Sequence, residues 1–272
     1  MGGGEVSDLR TALVAACRTQ LAEGPVALLL SGGTDSLTVL WSLLDLGVRP
    51  TCYTFHLQGK VHADVVAAKI ACETWGLPLC IVQIPRSSLL EDVKVLTGKF
   101  RATRKTLVQC AHPLLHLLPA IAEEQVFTGL TADDWWGSSK SDAINCSGNH
   151  AEFQRRRRAR LQDVETSGYA LWQRIAEAYG KRLCVPYRST EVTSWMLSRT
   201  WEQLNRPKQK QAAIDAFIAE YSRVAIYRRN CNLQCGSGIR EWHDTLLSRP
   251  CNVNRRTNVV ALYKDLAAGV AG

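Results

Sequence analysis

Long hydrophobic runs are missing from this sequence: no apolar stretch approaches the roughly 20 residues that a membrane-spanning helix needs. The first residues, Met1-Gly-Gly-Gly-Glu5, contain neither the basic nor the apolar part of a signal peptide. Low-complexity tracts are also absent, and hydrophobic residues make up 46% of the 272 positions, which excludes an intrinsically disordered chain. We therefore expect a soluble, cytoplasmic protein with a packed core and no membrane partner.

Basic residues are sparse in the first 150 residues and concentrated in the rest of the chain. Residues 1–150 carry 12 basic and 14 acidic groups, whereas residues 151–272 carry 21 basic and 11 acidic groups. This positive excess could attract nucleic acid or an anionic small substrate, or it could serve solubility alone. Ten cysteines are scattered along the chain, and we expect most of them to be reduced and buried.

Short apolar or β-branched segments alternate with amphipathic segments over the first 130 residues. This alternation predicts an α/β fold, a doubly wound parallel sheet with helices on both faces. Val66, Ile70 and Ala71 are expected on the buried face of the second predicted helix, which Gly76 should end. The predicted strands cover 26–30, 51–57, 79–84 and 126–130, and the predicted helices cover 36–46, 62–75 and 113–124.

The second half is more helical. We predict helices at 168–179, at 190–199 with Thr190 as its cap, and at 210–221 with Ala213, Ala216 and Phe217 facing inward, and a short extended piece at 183–187. A Gly/Ser-rich linker is absent between the halves. We therefore predict one main domain, residues 1–223, followed by a basic, cysteine-containing extension, residues 224–272.

The most informative segment follows the first predicted strand and reads Ser31-Gly-Gly-Thr-Asp-Ser36. Its glycines allow close approach of the backbone to a ligand, and the start of the next helix offers unpaired N–H groups to an anion. Asp35 suits such a site only beside a cation, and Mg²⁺ is typically held by one or two carboxylates together with phosphate oxygens. Ligands of these sheets lie at the carboxyl ends of the strands, which should bring this loop beside residues 131–134.

The loop closely resembles the pyrophosphate loop (PP-loop) of the N-type ATP pyrophosphatases, which cleave ATP between the α and β phosphates; it is not a Walker loop, because no Gly-Lys-Ser/Thr follows. Across residues 24–220 the chain is further similar to the synthetase domain of asparagine synthetase, without the glutaminase domain. Three segments carry this similarity: 128–137 (Ser-Gly-x-Gly-x-Asp-Glu-x-x-Gly in the family), 185–187 (Val-Pro-Phe) and 210–217 (Lys-x-x-Leu-Arg-x-Ala-Phe).

The resemblance implies an adenine nucleotide alpha hydrolase-like (HUP) fold, ATP and Mg²⁺ as cofactors, and Lys210 as the catalytic residue. It also implies that Asp35 and Asp133 share the magnesium ion. On the residues alone, Lys210 could instead be a solvated lysine and Asp133 a helix N-cap. The implied ATP- and pyrophosphate-binding residues are Leu30, Ser31, Gly32, Gly33, Thr34, Asp35, Ser36, Phe55 and Gly129.

Three positions depart from the family pattern. Leu130 stands where the asparagine synthetases carry a Glu and the β-lactam synthetases a Tyr, and Ser189 stands where the family has an Asp. The Arg expected shortly after Lys210 is missing, and Ala213 and Ile214 occupy that place. Leu130 cannot accept a proton, so the usual base is missing from its position. A nucleophile that arrives as a free amine could need little help from a base. Alternatively, Asp134, His150 or Glu191 could serve, and the sequence does not choose among them.

We therefore expect an AMP-forming ligase that adenylates an oxygen of a small-molecule or nucleotide substrate and forms an amide or related C–N bond. Ammonia or an amine would come from a separate source. One alternative is modification of a nucleobase in tRNA, in DNA or in a free 7-deazaguanine-type precursor, and another is a catalytically silent nucleic-acid-binding relative. The run Arg155–Arg160 could bind phosphates and Trp135-Trp136 could stack on a base, although a solvated helix face and a packed aromatic pair explain them equally well.

The sequence also offers a candidate zinc site near the C-terminus. Cys231 and Cys235 have a spacing within the range of zinc sites, and His243 and Cys251 supply a more widely spaced second pair. Reduced structural thiols are the alternative.

Overall fold

In the computed structural model, five parallel strands form one sheet in the order β3-β2-β1-β4-β5. The structure describes residues 8–165, 167–224, 233–247 and 255–269. The strands are β1 (Val26–Leu29), β2 (Thr51–Leu57), β3 (Leu79–Ile84), β4 (Gln125–Thr128) and β5 (Arg182–Cys184). Because the strand order reverses between β1 and β4, the loops that follow these two strands lie side by side at the sheet's carboxyl edge.

Helices cover both faces of this sheet. The helices of the first part are α1 (Leu9–Gln20), α2 (Thr34–Asp45), α3 (Ala63–Trp75), α4 (Leu89–Lys94), α5 (Lys105–Ala111), α6 (Leu114–Ala120) and α7 (Ala132–Trp136). Those that follow are α8 (Lys140–Cys146), α9 (His150–Gln162), α10 (Tyr169–Ala178), α11 (Thr190–Leu197), α12 (Trp201–Asn205), α13 (Gln211–Ala216), α14 (Ile218–Val224), α15 (Leu233–Gly236), α16 (Ile239–Leu246) and α17 (Arg255–Ala267). The prediction of an α/β doubly wound parallel sheet is thus confirmed.

Among the described residues, the core forms two clusters on opposite faces of the sheet. Leu28 of β1 packs in the cluster formed with α1, α2 and α3, whereas its neighbours Ala27 and Leu29 pack in the other cluster. Successive side chains of a strand point to opposite faces, so a strand buried on both sides needs an unbroken apolar sequence. This requirement explains the run Val26–Leu29, all of which is buried.

The prediction of which α3 residues face the core is partly wrong. Ala71 is buried, but Val66 and Ile70 are 52% and 37% exposed, and Val65 and Ala68 lie inward instead. α3 contains more apolar residues than its buried stripe can accommodate. Hydrophobic periodicity therefore could not fix which side of the helix faces the sheet.

Several boundaries differ from the prediction for local reasons. Ser189, rather than Thr190, caps α11, because its hydroxyl accepts a hydrogen bond from the backbone N–H of Val192. The helix expected over 113–124 covers only Leu114–Ala120 and ends just after Pro119. The helix expected over 210–221 is two helices, α13 and α14, which are separated at Phe217.

The described parts of the predicted C-terminal extension pack against the main sheet. Ile239 and Trp242 of α16, and Val259 and Tyr263 of α17, belong to the same buried cluster as Ala27 and its neighbours. Within the described ranges, every helix is too short or too polar to cross a bilayer. The division at residue 223 is a prediction about sequence organisation, and these contacts cross it.

Candidate active site

Two glycines allow the loop after β1 to fit between its neighbours. A Cβ on Gly32, whose φ is +69°, would lie 2.4 Å from the Cβ of Ala67 on α3. A Cβ on Gly129, which follows β4, would lie 2.7 Å from the carbonyl carbon of Asp35. Such separations are too short for any side chain, so glycine at both positions brings the loops after β1 and β4 into backbone contact.

Hydroxyl groups hold the loop in a tight turn at the start of α2. The Ser31 and Ser36 hydroxyls lie 3.1 Å apart, and the Gly33 backbone N–H donates to Ser31 Oγ over 3.2 Å. The Ser36 hydroxyl donates in turn to the carbonyl of Gly33. α2 begins at Thr34, so its first backbone N–H groups and the positive end of its dipole lie at this turn. This arrangement is suited to binding an anion.

Lys210 bridges the two carboxylates that the sequence singled out. Its Nζ lies 2.7 Å from Asp35 Oδ2, 2.9 Å from Asp35 Oδ1 and 2.8 Å from Asp133 Oδ1. The lysine is 1% exposed, which excludes the interpretation of a solvated side chain. Asp133 lies in α7 after the N-cap position, which Thr131 occupies. We call Asp35, Asp133 and Lys210 the charged triad.

Residues outside the predicted set hold this triad in position. Lys210 precedes α13 with a φ of +60°, and its backbone N–H donates to the side-chain oxygen of Asn205. Asn205 donates to the carbonyl of Trp136, whose indole N–H donates to Asp35 Oδ1 over 2.9 Å. Neither Asn205 nor Trp136 could be assigned this role from sequence, because the contacts join segments that are far apart along the chain.

The triad keeps its lysine cationic. Burial alone would lower the pKa of Lys210, but the negative charges of Asp35 and Asp133, together with their hydrogen bonds, raise it. Burial raises the pKa of Asp35, and the neighbouring ammonium only partly offsets that effect. When both carboxylates are ionised, the one cation between them leaves a net negative charge, which favours a further cation at this place.

A cavity of about 460 Å³ opens beside the loop and the triad. Leu30, Phe55 and Gly129, which belong to the predicted ATP-binding set, all line it, together with Asp35 and Asp133. The sheet's carboxyl edge forms one wall. The loop residues Ser31, Gly33, Thr34 and Ser36 also line the cavity, whereas Gly32 turns toward α3.

Only one of the three proposed replacement bases reaches this cavity. Asp134 lines it beside Leu130, and burial raises the pKa of Asp134 to about 6 despite the nearby positive charges of Arg160 and Arg188. His150 lies at the exposed start of α9, and Glu191 contacts Thr19 on α1.

The sequence matches the family model described as asparagine synthase over residues 8–230. The chain belongs to the asparagine synthase family. This result confirms the resemblance seen in the motifs, and it supports an ATP-dependent synthetase of the C–N ligase type. No curated protein gives a significant match.

In this asparagine synthase-family chain, the two tryptophans do not offer their faces to a base. Trp135 and Trp136 are both fully buried, and the indole N–H of Trp135 donates to the carbonyl of Tyr187 over 2.6 Å. The packed-pair interpretation is therefore correct, and base stacking at these residues is excluded.

The arginine run lies on α9 and is largely engaged within the protein. Arg157 is buried and donates to the carbonyls of Met196 and Arg199. Arg160 binds both carboxylate oxygens of Asp142 at 2.8 Å. These contacts make the run a structural element of α9 rather than a fully solvated face.

Of the four proposed C-terminal zinc ligands, the structure describes the side chain of His243 alone. Cys231 and Cys251 lie outside the described residues, as does the side chain of Cys235. His243 is buried, and its two ring nitrogens contact Tyr263 and His112. Among the cysteines that the structure describes, none forms a disulfide, as expected for reduced thiols.

Proposed function

We propose that this protein is an AMP-forming synthetase that adenylates an oxygen of its substrate, releases pyrophosphate and forms an amide or related C–N bond. The observation that carries the proposal is the ion pairing of the buried Lys210 with Asp35 and Asp133 beside the Ser31–Ser36 loop. A family of ATP-dependent synthetases supplies the context.

The loop is proposed to bind the β and γ phosphates of ATP through the backbone N–H groups at the start of α2 and the hydroxyls of Ser31, Thr34 and Ser36. The adenosine would lie against the backbone of Leu30 and Phe55 along the sheet's carboxyl edge. The cavity has the volume expected of a small-molecule site.

Magnesium fits this donor set, because Asp35 and Asp133 present hard carboxylate oxygens directly beside the phosphate loop. When bound, Mg²⁺ neutralises phosphate charge and polarises the phosphoryl oxygens. The excess negative charge of the triad is the feature of this chain that favours it.

The reaction begins when a substrate oxygen attacks the α phosphate and the bond to the β phosphate breaks. Lys210 is positioned to stabilise the negative charge that develops on the departing pyrophosphate. The nitrogen of ammonia or an amine then attacks the activated carbon, AMP departs with the bridging oxygen, and the nitrogen loses a proton. We assign acceptance of that proton to Asp134, which lines the cavity beside Leu130, the position where the family base is missing.

The test is a pyrophosphate-release screen with amino acids, modified nucleotides and nucleic acids, each with and without ammonium or amines. Once a substrate is found, Asp35→Ala and Lys210→Ala should abolish AMP and pyrophosphate formation. Lys69→Ala is the matched control, since Lys69 is an exposed residue of α3. Full turnover by folded Asp35→Ala and Lys210→Ala proteins would overturn the proposal.

The nucleobase-modifying alternative shares the ATP chemistry and differs in the acceptor. Its remaining support is the positive charge of residues 151–272. Pyrophosphate release stimulated by tRNA or DNA, with steeply salt-dependent binding, would favour it over a small-molecule acceptor.

A further inference from the structure

A second cluster of ligand-type side chains lies apart from the residues that line the ATP cavity. Asp92 of α4, His112 at the end of α5 and His116 of α6 converge on one point. The Nε2 atoms of His112 and His116 lie 3.0 and 2.8 Å from the same oxygen, Asp92 Oδ2. All three potential ligand atoms lie within 4.8 Å of one another.

The local sequence places these groups together. His112 and His116 are four residues apart at the junction of α5 and α6, and side chains with this spacing share one face of a helical turn. Asp92 reaches the same face from α4. Two ligand atoms that each lie roughly 2 Å from a tetrahedral ion are about 3.3 Å apart, so the three side chains need to separate by only about a few tenths of an ångström to admit Zn²⁺.

The cluster continues into the C-terminal helices. His112 Nδ1 lies 3.1 Å from His243 Nε2 of α16, and His243 Nδ1 contacts the hydroxyl of Tyr263 of α17. His112, His243 and Tyr263 are fully buried. Histidine ligands of metal sites usually have such a partner on the second ring nitrogen, which fixes the orientation of the ring.

Access to the cluster comes from the His116 side. The His116 and Asp92 side chains are 19% and 13% exposed, in contrast to the buried His112. An ion could therefore enter without unfolding, and a solvent molecule could complete a three-ligand set. Two imidazoles and one carboxylate with an open fourth position are a donor set that suits Zn²⁺.

We propose that Asp92, His112 and His116 form a zinc site, distinct from the magnesium site, that couples the α4–α6 region to α16 and α17 through His243 and Tyr263. Binding requires a lone pair on Nε2 of each histidine ligand. The proton of His112 then lies on Nδ1 and donates to His243 Nε2, while His243 Nδ1–H donates to the Tyr263 hydroxyl. Each imidazole stays neutral, so the change is one of tautomer.

The competing explanation is a metal-free network in which both imidazoles donate Nε2–H to Asp92 Oδ2. Direct zinc binding separates the two. The experiment uses the full chain without an affinity tag, depleted of metal by a chelator and then titrated with Zn²⁺ and, separately, with Co²⁺. We expect one strongly bound equivalent that depends on His116, visible Co²⁺ absorption bands, and a rise in the melting temperature with zinc.

His116→Ala should lose this equivalent, and His243→Ala should weaken it by about 10- to 100-fold, as expected when the partner of a ligand is removed. His150→Ala is the matched control, since His150 is an exposed histidine on α9. His116→Gln serves if the alanine variant does not fold. Circular dichroism would confirm folding of each variant.

Three outcomes would overturn the proposal. The wild-type chain binds no zinc; or folded His116→Ala and His116→Gln bind it as tightly as wild type; or the bound equivalent is lost in Cys231→Ser but kept in His116→Ala, which would favour the C-terminal cysteines instead. None of these readouts depends on ATP turnover. A negative result would therefore refute the zinc site without bearing on the proposed synthetase activity.

Discussion

Replacing Lys210 with methionine should destabilise the protein in a pH-dependent way. The variant keeps most of the side-chain volume and removes the ammonium that contacts Asp35 and Asp133 at 2.7–2.9 Å. Two carboxylates then face each other without the cation between them. Breaking a buried ion pair costs about 3–5 kcal/mol. We expect about 3 kcal/mol, because Asp133 is 53% exposed and water screens part of the repulsion.

The pH dependence follows from Asp35. Burial already raises its pKa, and loss of the lysine should raise it further because the opposing Coulomb interaction disappears. The native variant then binds a proton that the unfolded chain releases at about pH 4, so its stability increases as the pH falls from about 7 to 5. The wild-type triad, held together by its lysine, should change less over this range.

Urea denaturation of wild type, Lys210→Met and the double variant Asp35→Asn/Lys210→Met at both pH values measures this effect. The double variant removes the uncompensated charge and should recover about half or more of the lost stability, since both partners of the pair are then gone. An equal loss for Lys210→Met at both pH values, with no recovery in the double variant, would refute the electrostatic explanation and leave only lost packing.

Three further predictions concern the loops around the triad. If Asp134 is the base, the rate of the C–N bond-forming step should rise with pH through about 6, and Asp134→Asn should remove this dependence in single-turnover measurements. Gly129→Ala should strongly reduce nucleotide binding measured by calorimetry, because its Cβ would lie 2.7 Å from the Asp35 backbone. The control Gly98→Ala should bind normally, because a Cβ at Gly98 meets no neighbouring atom within 4 Å and the residue has no left-handed backbone conformation. Thr131→Gly should raise the free energy of unfolding by about 1 kcal/mol, as measured by urea denaturation. The reason is that Thr131 has a φ of +67° and a buried hydroxyl without a hydrogen-bond partner. Unchanged or lower stability would show that the contacts of its methyl group outweigh the backbone strain.

Much of the fold was predictable because it depends on local patterns. The residues of β2 and β3 coincide with the prediction, since each strand is bounded by a clear Gly or Pro signal and is rich in apolar residues. The orientation of α3 was not predictable, because apolar residues occur around most of its circumference. The cap of α11 was off by one residue, since Ser189 and Thr190 are both suitable caps and only the backbone geometry chooses between them.

The site was predictable where a motif fixes the chemistry and not where contacts arise from tertiary structure. The Ser31–Ser36 loop and the three charged residues followed from residue types in family order, and the structure brings them together. The His112–His116 pair has a helical spacing that could have been noticed in the sequence. Asp92, however, lies 20 residues before His112, and only the packing of α4 on α5 and α6 joins it to the histidines.

The contacts of individual basic side chains explain part of the positive excess in residues 151–272. The positive excess of residues 151–272 includes Arg157 and Arg160, which are engaged on α9, and Lys210, which is buried in the triad. Some of the excess is therefore structural, and one of its charges belongs to the proposed ATP site, although the loop itself lies in the slightly acidic first half. A long-range field for a polyanion would have to come from the remaining exposed basic residues. A weak dependence of substrate KM on salt concentration would thus fit a small acceptor, whereas a steep dependence would favour nucleic acid.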